Sequence, residues 1–113
     1  MDFILSTEAF TPMDHPLVEL FKDQLIIAGE EAVSPWVYVA EYNTIALIDT
    51  EWDLNPKETE HIKVRVEWSI DGDRCIGTES SSMAYVKTSY VRVVIENINS
   101  RDIKFSAKLA RRN

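Results

Sequence analysis

The chain has 113 residues, of which 45% are hydrophobic and 27% are charged, so it suits one globular domain and is too apolar to be disordered. Its formal net charge of -7 argues against a general nucleic-acid-binding protein, because such proteins carry a basic field. A single cysteine, Cys75, excludes an internal disulfide, so stability must come from a core and from subunit contacts.

Residues 1–21 differ from the rest of the chain and are predicted to form an N-terminal arm. Their apolar residues are irregularly spaced and are followed by Pro12 and Pro16. We predict one helical turn from Pro16 to Phe21, because proline suits the first turn of a helix and Asp14 is a suitable cap. The segment lacks the features of a signal peptide or a membrane span, so we expect no membrane insertion. The arm residues expected to dock on a neighbouring subunit are Phe3, Ile4, Leu5 and Phe10.

Residues 22–113 are predicted to form one β-sandwich domain, because hydrophobic residues recur there at every second position. The most regular stretch runs from Ile62 to Ile70 and ends at an Asp71-Gly72 pair. This pair favours a two-residue hairpin, since both central positions of a type I′ turn need positive φ. A short strand around Cys75 and Ile76 should therefore return antiparallel.

About eight strands and no long helix are predicted in total. Eight short antiparallel strands in about 90 residues favour an all-β, antiparallel β-sandwich. The cysteine and tryptophan spacing of immunoglobulin domains is absent, which favours a jelly roll. The predicted strands lie within residues 23–29, 36–42, 43–52, 61–70, 75–76, 81–87, 89–97 and 102–110.

Enzyme chemistry has little support in the sequence. The nucleophile elbow, the dinucleotide-binding glycine motif and the P-loop are all absent, so we predict a non-enzymatic protein without catalytic residues or a cofactor. Three carboxylates, Asp49, Glu51 and Asp53, alternate along one predicted strand. Such a row is able to hold calcium or to supply a glycosidase pair, but we favour a solvated strand face.

The remaining candidate metal ligands also favour structural roles. His15, His61 and Cys75 are too few and too scattered for a recognisable zinc site, so no metal is expected. Asp71 and Asp73 flank the predicted hairpin and are interpreted as turn residues before cation ligands.

Aromatic residues raise the question of sugar binding. Trp68 is predicted to lie in the core, because Val66 and Ile70 flank it at even spacing. Aromatic rings stack on sugars when they are exposed, and this possibility is open for Trp36, Tyr38, Tyr85 and Tyr90 as well as for the two named candidate glycan contacts, Tyr42 and Trp52. The alternative for each ring is the core or a subunit interface, where aromatic residues are enriched.

The charges are unevenly distributed along the chain. Residues 1–86 carry 17 acidic and 5 basic groups, whereas residues 87–113 carry 2 acidic and 7 basic groups. One interpretation is pairing of opposite charges across neighbouring strands within one molecule. The other is head-to-tail assembly, in which an acidic flank of one copy meets the basic end of another, formed by Lys108, Arg111 and Arg112. The second interpretation places Arg111 and Arg112 at an interface.

Residues 60–112 resemble discoidin-like and other jelly-roll modules. The resemblance lies in WSIDGD, in YVKTSYVRVVIEN and in the closing strand IKFSAKLARR. Such modules recur in carbohydrate-binding proteins and in phage tail, fibre and capsid-decoration proteins. The resemblance implies a jelly-roll fold, although we find no loop with the sugar or calcium ligands that these modules often carry.

These features together predict a structural assembly protein rather than an enzyme. We expect a small phage virion component, in capsid decoration or in the tail or baseplate, that binds copies of itself or a larger scaffold protein. We expect a closed homo-oligomer and favour a trimer, although no residue in the sequence specifies the number of subunits. The alternatives are a glycan-binding adsorption module and a cytoplasmic regulatory or inhibitor protein whose acidic face mimics nucleic acid.

Overall fold

The structure is a computed structural model and describes residues 17–59 and 61–113. Within these residues the chain is all-β, with nine strands and one helical turn. No helix in this part of the chain is long and apolar enough to cross a membrane. The elements are β1 (Leu17–Ile26), β2 (Glu31–Val33), β3 (Val37–Tyr38), β4 (Thr44–Trp52), α1 (Pro56–Thr59), β5 (Ile62–Ser69), β6 (Gly77–Glu79), β7 (Met83–Tyr85), β8 (Tyr90–Asn97) and β9 (Ile103–Arg112).

The strands form two antiparallel sheets, as expected for a β-sandwich. Sheet I has the order β1-β9-β4-β7. Sheet II has the order β2-β8-β5-β6, and β3 pairs with the same strand, β8, as β2 does. Every pairing is antiparallel, and several join segments that are distant in sequence, such as β1 with β9 and β2 with β8.

The core lies between the two sheets and is built from alternate residues of the longer strands. Ile103, Phe105, Ala107 and Leu109 form the inward row of β9, and each is no more than 1% exposed. Trp68 of β5 is 3% exposed, which confirms its predicted place in the core. The ring of Phe105 lies 5.4 Å from that of Phe21 and 5.2 Å from that of Trp52. Residues from β1, β4 and β9 therefore meet in one aromatic cluster.

The chain enters the sandwich earlier than the sequence predicts. The predicted helical turn is wrong over Leu17 to Phe21, because these residues belong to β1 and pair with β9 from Ala110 to Ala107. The proposed division between arm and body at residue 21 therefore falls inside a strand. Pairing with a distant strand outweighs the local helix-start signal of Pro16. The arm residues Phe3, Ile4, Leu5 and Phe10 lie outside the described residues.

The hairpin after β5 is longer than predicted. A two-residue turn at Asp71-Gly72 is wrong, because residues 70–76 form a seven-residue loop and the return strand begins at Gly77, after Cys75 and Ile76. Ile70 is 66% exposed, so the inward row of β5 ends at Trp68. Gly72 has a φ of 76°, and a Cβ there would meet the ring of Tyr90 at 3.2 Å.

The carboxylate of Asp71 stabilises the conformation of the β5–β6 loop by accepting hydrogen bonds. Oδ1 of Asp71 accepts hydrogen bonds from the Ser69 hydroxyl and from the backbone N–H groups of Asp73 and Arg74, at 2.9 to 3.1 Å. The two backbone donors, Arg74 foremost, lower the pKa of Asp71 to about 2. Asp71 therefore organises the turn, as predicted, by accepting hydrogen bonds in a wider loop.

Candidate functional site

Charged side chains on the outward face of sheet II form ion pairs and hydrogen bonds with one another. Glu67 accepts hydrogen bonds from Arg92 at 2.7 Å and from Arg65 at 3.1 Å. Arg65 also donates a hydrogen bond to each carboxylate oxygen of Glu31 at 3.2 Å. The guanidinium of Arg92 lies over the Trp36 ring, 4.3 Å from its centroid. Burial opposes ionisation of Glu67, but the two arginines outweigh it and lower its pKa. This network stabilises the sheet and leaves few unsatisfied groups for a partner.

The outward face of sheet I is different, because an apolar row crosses all four of its strands. Leu17 of β1 pairs with Ala110 of β9, Ala110 pairs with Ala46 of β4, and Ala46 pairs with Met83 of β7. Directly paired residues share a face of a sheet, so these four side chains form one line. Their sequence neighbours Ile45, Ala84 and Leu109 point into the core.

The row forms an open groove with a floor of small residues. Ala110 is 1% exposed although it points outward, whereas Met83 is 68% exposed and Leu17 is 48% exposed. Tyr85, in the next row beside Thr44, is 75% exposed. The hollow along β4, β7 and β9 has a volume of about 480 Å³. We call the apolar row and this hollow together the apolar groove, and its residues are Leu17, Ala46, Ile48, Met83, Tyr85 and Ala110, of which Leu17 belongs to the row but does not line the hollow.

Charged groups stand at the rim of the apolar groove. Arg112 is exposed and pairs in register with Thr44. Lys87, two residues after the end of β7, also lines the groove. Lys87 approaches Glu79 at 3.2 Å, and Glu79 also accepts a 3.1 Å hydrogen bond from the indole N–H of Trp68. The Trp68 bond, followed by Lys87, lowers the pKa of Glu79. The rim is therefore charged and the floor is apolar, as in many contact surfaces between proteins.

The three alternating carboxylates do not converge. The register of β4 against β9 shifts between Ile48 and Glu51, and Asp49 has a φ of 50°, so the strict alternation that the sequence predicts is broken by a bulge. Asp49 faces Lys108 at 3.8 Å, while Asp53 accepts a 3.0 Å hydrogen bond from the Lys104 backbone N–H. The row is thus divided among separate partners.

The other candidate ligands are also dispersed. In the described ranges 17–59 and 61–113, no three histidine, cysteine, aspartate or glutamate side chains come together in a way that could hold a metal ion. His61 lies between α1 and β5, whereas Cys75 lies in the β5–β6 loop, where its thiol approaches the Gly77 carbonyl at 3.4 Å. His15 is outside the described residues.

The two candidate sugar-stacking rings are engaged elsewhere and lie far apart. Trp52 packs against Phe105, and the Tyr42 ring is covered by the guanidinium of Arg111 at 4.8 Å. Trp52 is the last residue of β4 and Tyr42 precedes its first residue, so the length of a nine-residue strand, roughly 30 Å, separates them. They do not form a single platform for a sugar ring.

The two predicted interface arginines have different environments. Arg111 stacks on Tyr42 and donates a 2.8 Å hydrogen bond to the Tyr38 carbonyl, so its contacts lie within the molecule. Arg112, the last residue of β9, is exposed at the rim of the apolar groove. Of the pair, Arg112 has the geometry of an interface residue.

The uneven charge distribution is largely used inside the molecule. Basic residues of the last third pair with acidic residues that come earlier in the chain: Arg92 with Glu67, Lys108 with Asp49, and Arg101 with Glu58 at 2.7 Å. The pairs Arg92–Glu67 and Lys108–Asp49 join neighbouring strands and agree with the cross-strand interpretation, whereas Arg101–Glu58 joins the β8–β9 loop to α1. These contacts involve three of the seven basic groups of residues 87–113, which are therefore less available for head-to-tail assembly by charge alone.

The apolar groove was not predicted from the sequence. Its residues come from four distant strands, and each contributes one or two outward side chains that look unremarkable alone. One feature of the sequence could have indicated the groove. Two strand-forming segments each carry a small outward residue, Ala46 and Ala110, while the segment MAY, residues 83–85, carries large outward residues. Comparison of the chain with protein-family models, with curated proteins and with solved structures finds no match.

Proposed function

We propose that the chain is a non-enzymatic structural protein of the jelly-roll type, which assembles with copies of itself or with a larger scaffold. The order of strand pairing supports the jelly roll. β5 pairs with the next strand, β6; outside this hairpin β4 pairs with β7, then β2 and β3 pair with β8, and finally β1 pairs with β9. The pairs are nested, as in one long antiparallel hairpin rolled into two sheets.

The count of strands agrees with this interpretation when two short strands are taken together. β2 and β3 are separated by three residues and both pair with β8, so they act as two halves of one interrupted strand. Eight strands then remain, which is the number in a jelly roll. Jelly rolls occur in viral capsid proteins and in lectins, so the fold alone does not distinguish assembly from sugar binding. The surface residues provide the evidence for one or the other.

The apolar groove is the observation that carries the assembly proposal. Met83 and Tyr85 are more than two-thirds exposed on the same face as Leu17, and the alanine floor allows a partner to approach the sheet closely. Contiguous apolar surface with a polar rim is typical of a protein contact site. A small virion component of a phage, in capsid decoration or in the tail or baseplate, would use such a face to bind its neighbours.

The glycan-binding alternative receives no support from its two candidate rings. Tyr42 is covered by Arg111, and Trp52 packs on the core at the other end of β4. A glycan array probed with the full chain tests this alternative directly. Binding of a sugar that is lost in Tyr42→Ala or Trp52→Ala would overturn the assembly proposal in favour of adsorption.

Sedimentation velocity of the full chain over a range of concentrations tests self-assembly. The wild type should form an oligomer, and Met83→Glu should shift it to monomer because it places a charge in the groove. Ile70→Glu is the matched control, since Ile70 is equally exposed, at 66% compared with 68%, but lies in the β5–β6 loop. A wild type that stays monomeric at the highest soluble concentration would contradict self-assembly. Equal loss of assembly in both variants would contradict the groove as the contact.

A further inference from the structure

We infer that residues 1–16 of a neighbouring copy occupy the apolar groove. This inference rests on the proposed self-assembly and names the segment that makes the contact. The groove needs an occupant that is apolar enough for the alanine floor and acidic enough for the exposed rim. The N-terminal segment of the same sequence meets both conditions.

The segment matches the groove in chemistry. It contains Phe3, Ile4, Leu5 and Phe10, which are side chains that can pack on the floor formed by Ala46 and Ala110 beside the exposed side chain of Met83. A hollow of about 480 Å³ is in the size range of protein pockets that enclose a ligand. Burial of one large apolar side chain stabilises a contact by roughly 1.5–3 kcal/mol.

The charges of the two surfaces are complementary. Residues 1–16 carry three acidic side chains, Asp2, Glu8 and Asp14, and no lysine or arginine. The exposed rim of the groove carries Arg112, and the nearby Lys87 is balanced by Glu79. Complementary charges at a rim fix the register of a contact, whereas the apolar floor supplies most of its free energy.

The point of attachment and the length of the segment allow it to reach a neighbour. Residue 16 joins β1 at Leu17, which is itself one end of the apolar row. Thr11 and His15 each precede a proline, and a residue before proline is restricted to extended conformations. An extended spacer over residues 11–16 would span roughly 19 Å, which is long enough to place the apolar residues on a second copy.

Disulfide trapping tests the inference. In a Cys75→Ser background, Phe10→Cys combined with Tyr85→Cys should give disulfide-linked chains of twice or more the monomer mass on a non-reducing gel. Tyr85 is 75% exposed, so a cysteine there leaves the fold intact. Phe10→Cys combined with Tyr38→Cys is the matched control, because Tyr38 is 46% exposed on the outward face of sheet II. Linked chains with Tyr85 and none with Tyr38 would support the inference.

Other outcomes would overturn it. A crosslink to Tyr85 that forms only within one chain would place the segment on its own groove, and equal crosslinking to Tyr38 would remove its specificity. Deletion of residues 1–12 separates the inference from the proposed function. A deletion variant that remains oligomeric would refute the role of the segment while self-assembly stands, whereas a monomeric wild type would refute self-assembly itself.

Discussion

Phe105 is the side chain whose truncation should destabilise the fold most. It is 1% exposed at the centre of sheet I and contacts the rings of both Phe21 and Trp52. Truncation of a buried phenylalanine to alanine costs roughly 3–5 kcal/mol, and each lost aromatic pair adds to this cost. Because Phe105→Ala removes two such pairs, we expect the free energy of unfolding to fall by about 4–5 kcal/mol.

Urea unfolding followed by tryptophan fluorescence measures this loss as a lower midpoint with an unchanged slope. Thermal unfolding should shift down by roughly 15–40 °C, since a domain of this size loses about 4–8 °C per kcal/mol. Lys104→Ala is the control, because Lys104 is the exposed neighbour on the other face, and it should change stability by no more than about 0.5 kcal/mol. A loss below about 1 kcal/mol for Phe105→Ala would refute the placement of this ring between the sheets. Phe105→Leu should lie between the two if the alanine variant fails to fold.

Three further predictions concern polar and backbone features. Asn97→Ala should lower the free energy of unfolding by about 3 kcal/mol in urea, because its fully buried amide donates to two backbone carbonyls and accepts from one N–H. The Arg101 side chain, and then the Asn55 backbone, lower the pKa of Glu58 from 4.5 to about 2, so its ionised form stabilises the fold above pH 4.5 and this contribution is lost as the pH falls towards 2. Glu58→Gln should therefore show a smaller fall in melting temperature over this range, and an unchanged fall would contradict the ion pair. Gly72→Ala should cost about 1–2 kcal/mol because its φ is 76°, whereas Gly77→Ala, with open space around it, should be near neutral in the same thermal assay.

The sequence predicts the core well because burial imposes its own period. On β9 every second residue from Ile103 to Leu109 faces the other sheet, and a strand buried on one face can satisfy this in one register only. Trp68 follows the same rule on β5. On such strands, the alternation of hydrophobic and polar residues in the sequence matches the alternation of buried and exposed side chains in the structure.

The sequence does not predict features that depend on distant pairing. The segment Leu17 to Phe21 lies in a strand because β1 pairs with β9, which lies more than eighty residues away from Leu17. Bulges at Asp23 in β1 and Asp49 in β4, where φ is 48° and 50°, shift the register of these strands against β9. The shifts interrupt the alternation of inward and outward side chains in both strands. The apolar groove depends on the register of four strands at once, so its outward residues cannot be recognised from any one of them.

Hydroxyl-radical footprinting of the full chain tests the role of the apolar groove most directly, because methionine and tyrosine side chains report their own exposure to the radical. It should be run at concentrations above and below the midpoint of association, with Tyr38 on sheet II as the internal control. We expect oxidation of Met83 and Tyr85 to fall severalfold on association while that of Tyr38 stays constant. Protection of Tyr38 with unchanged oxidation of Met83 and Tyr85 would contradict the account.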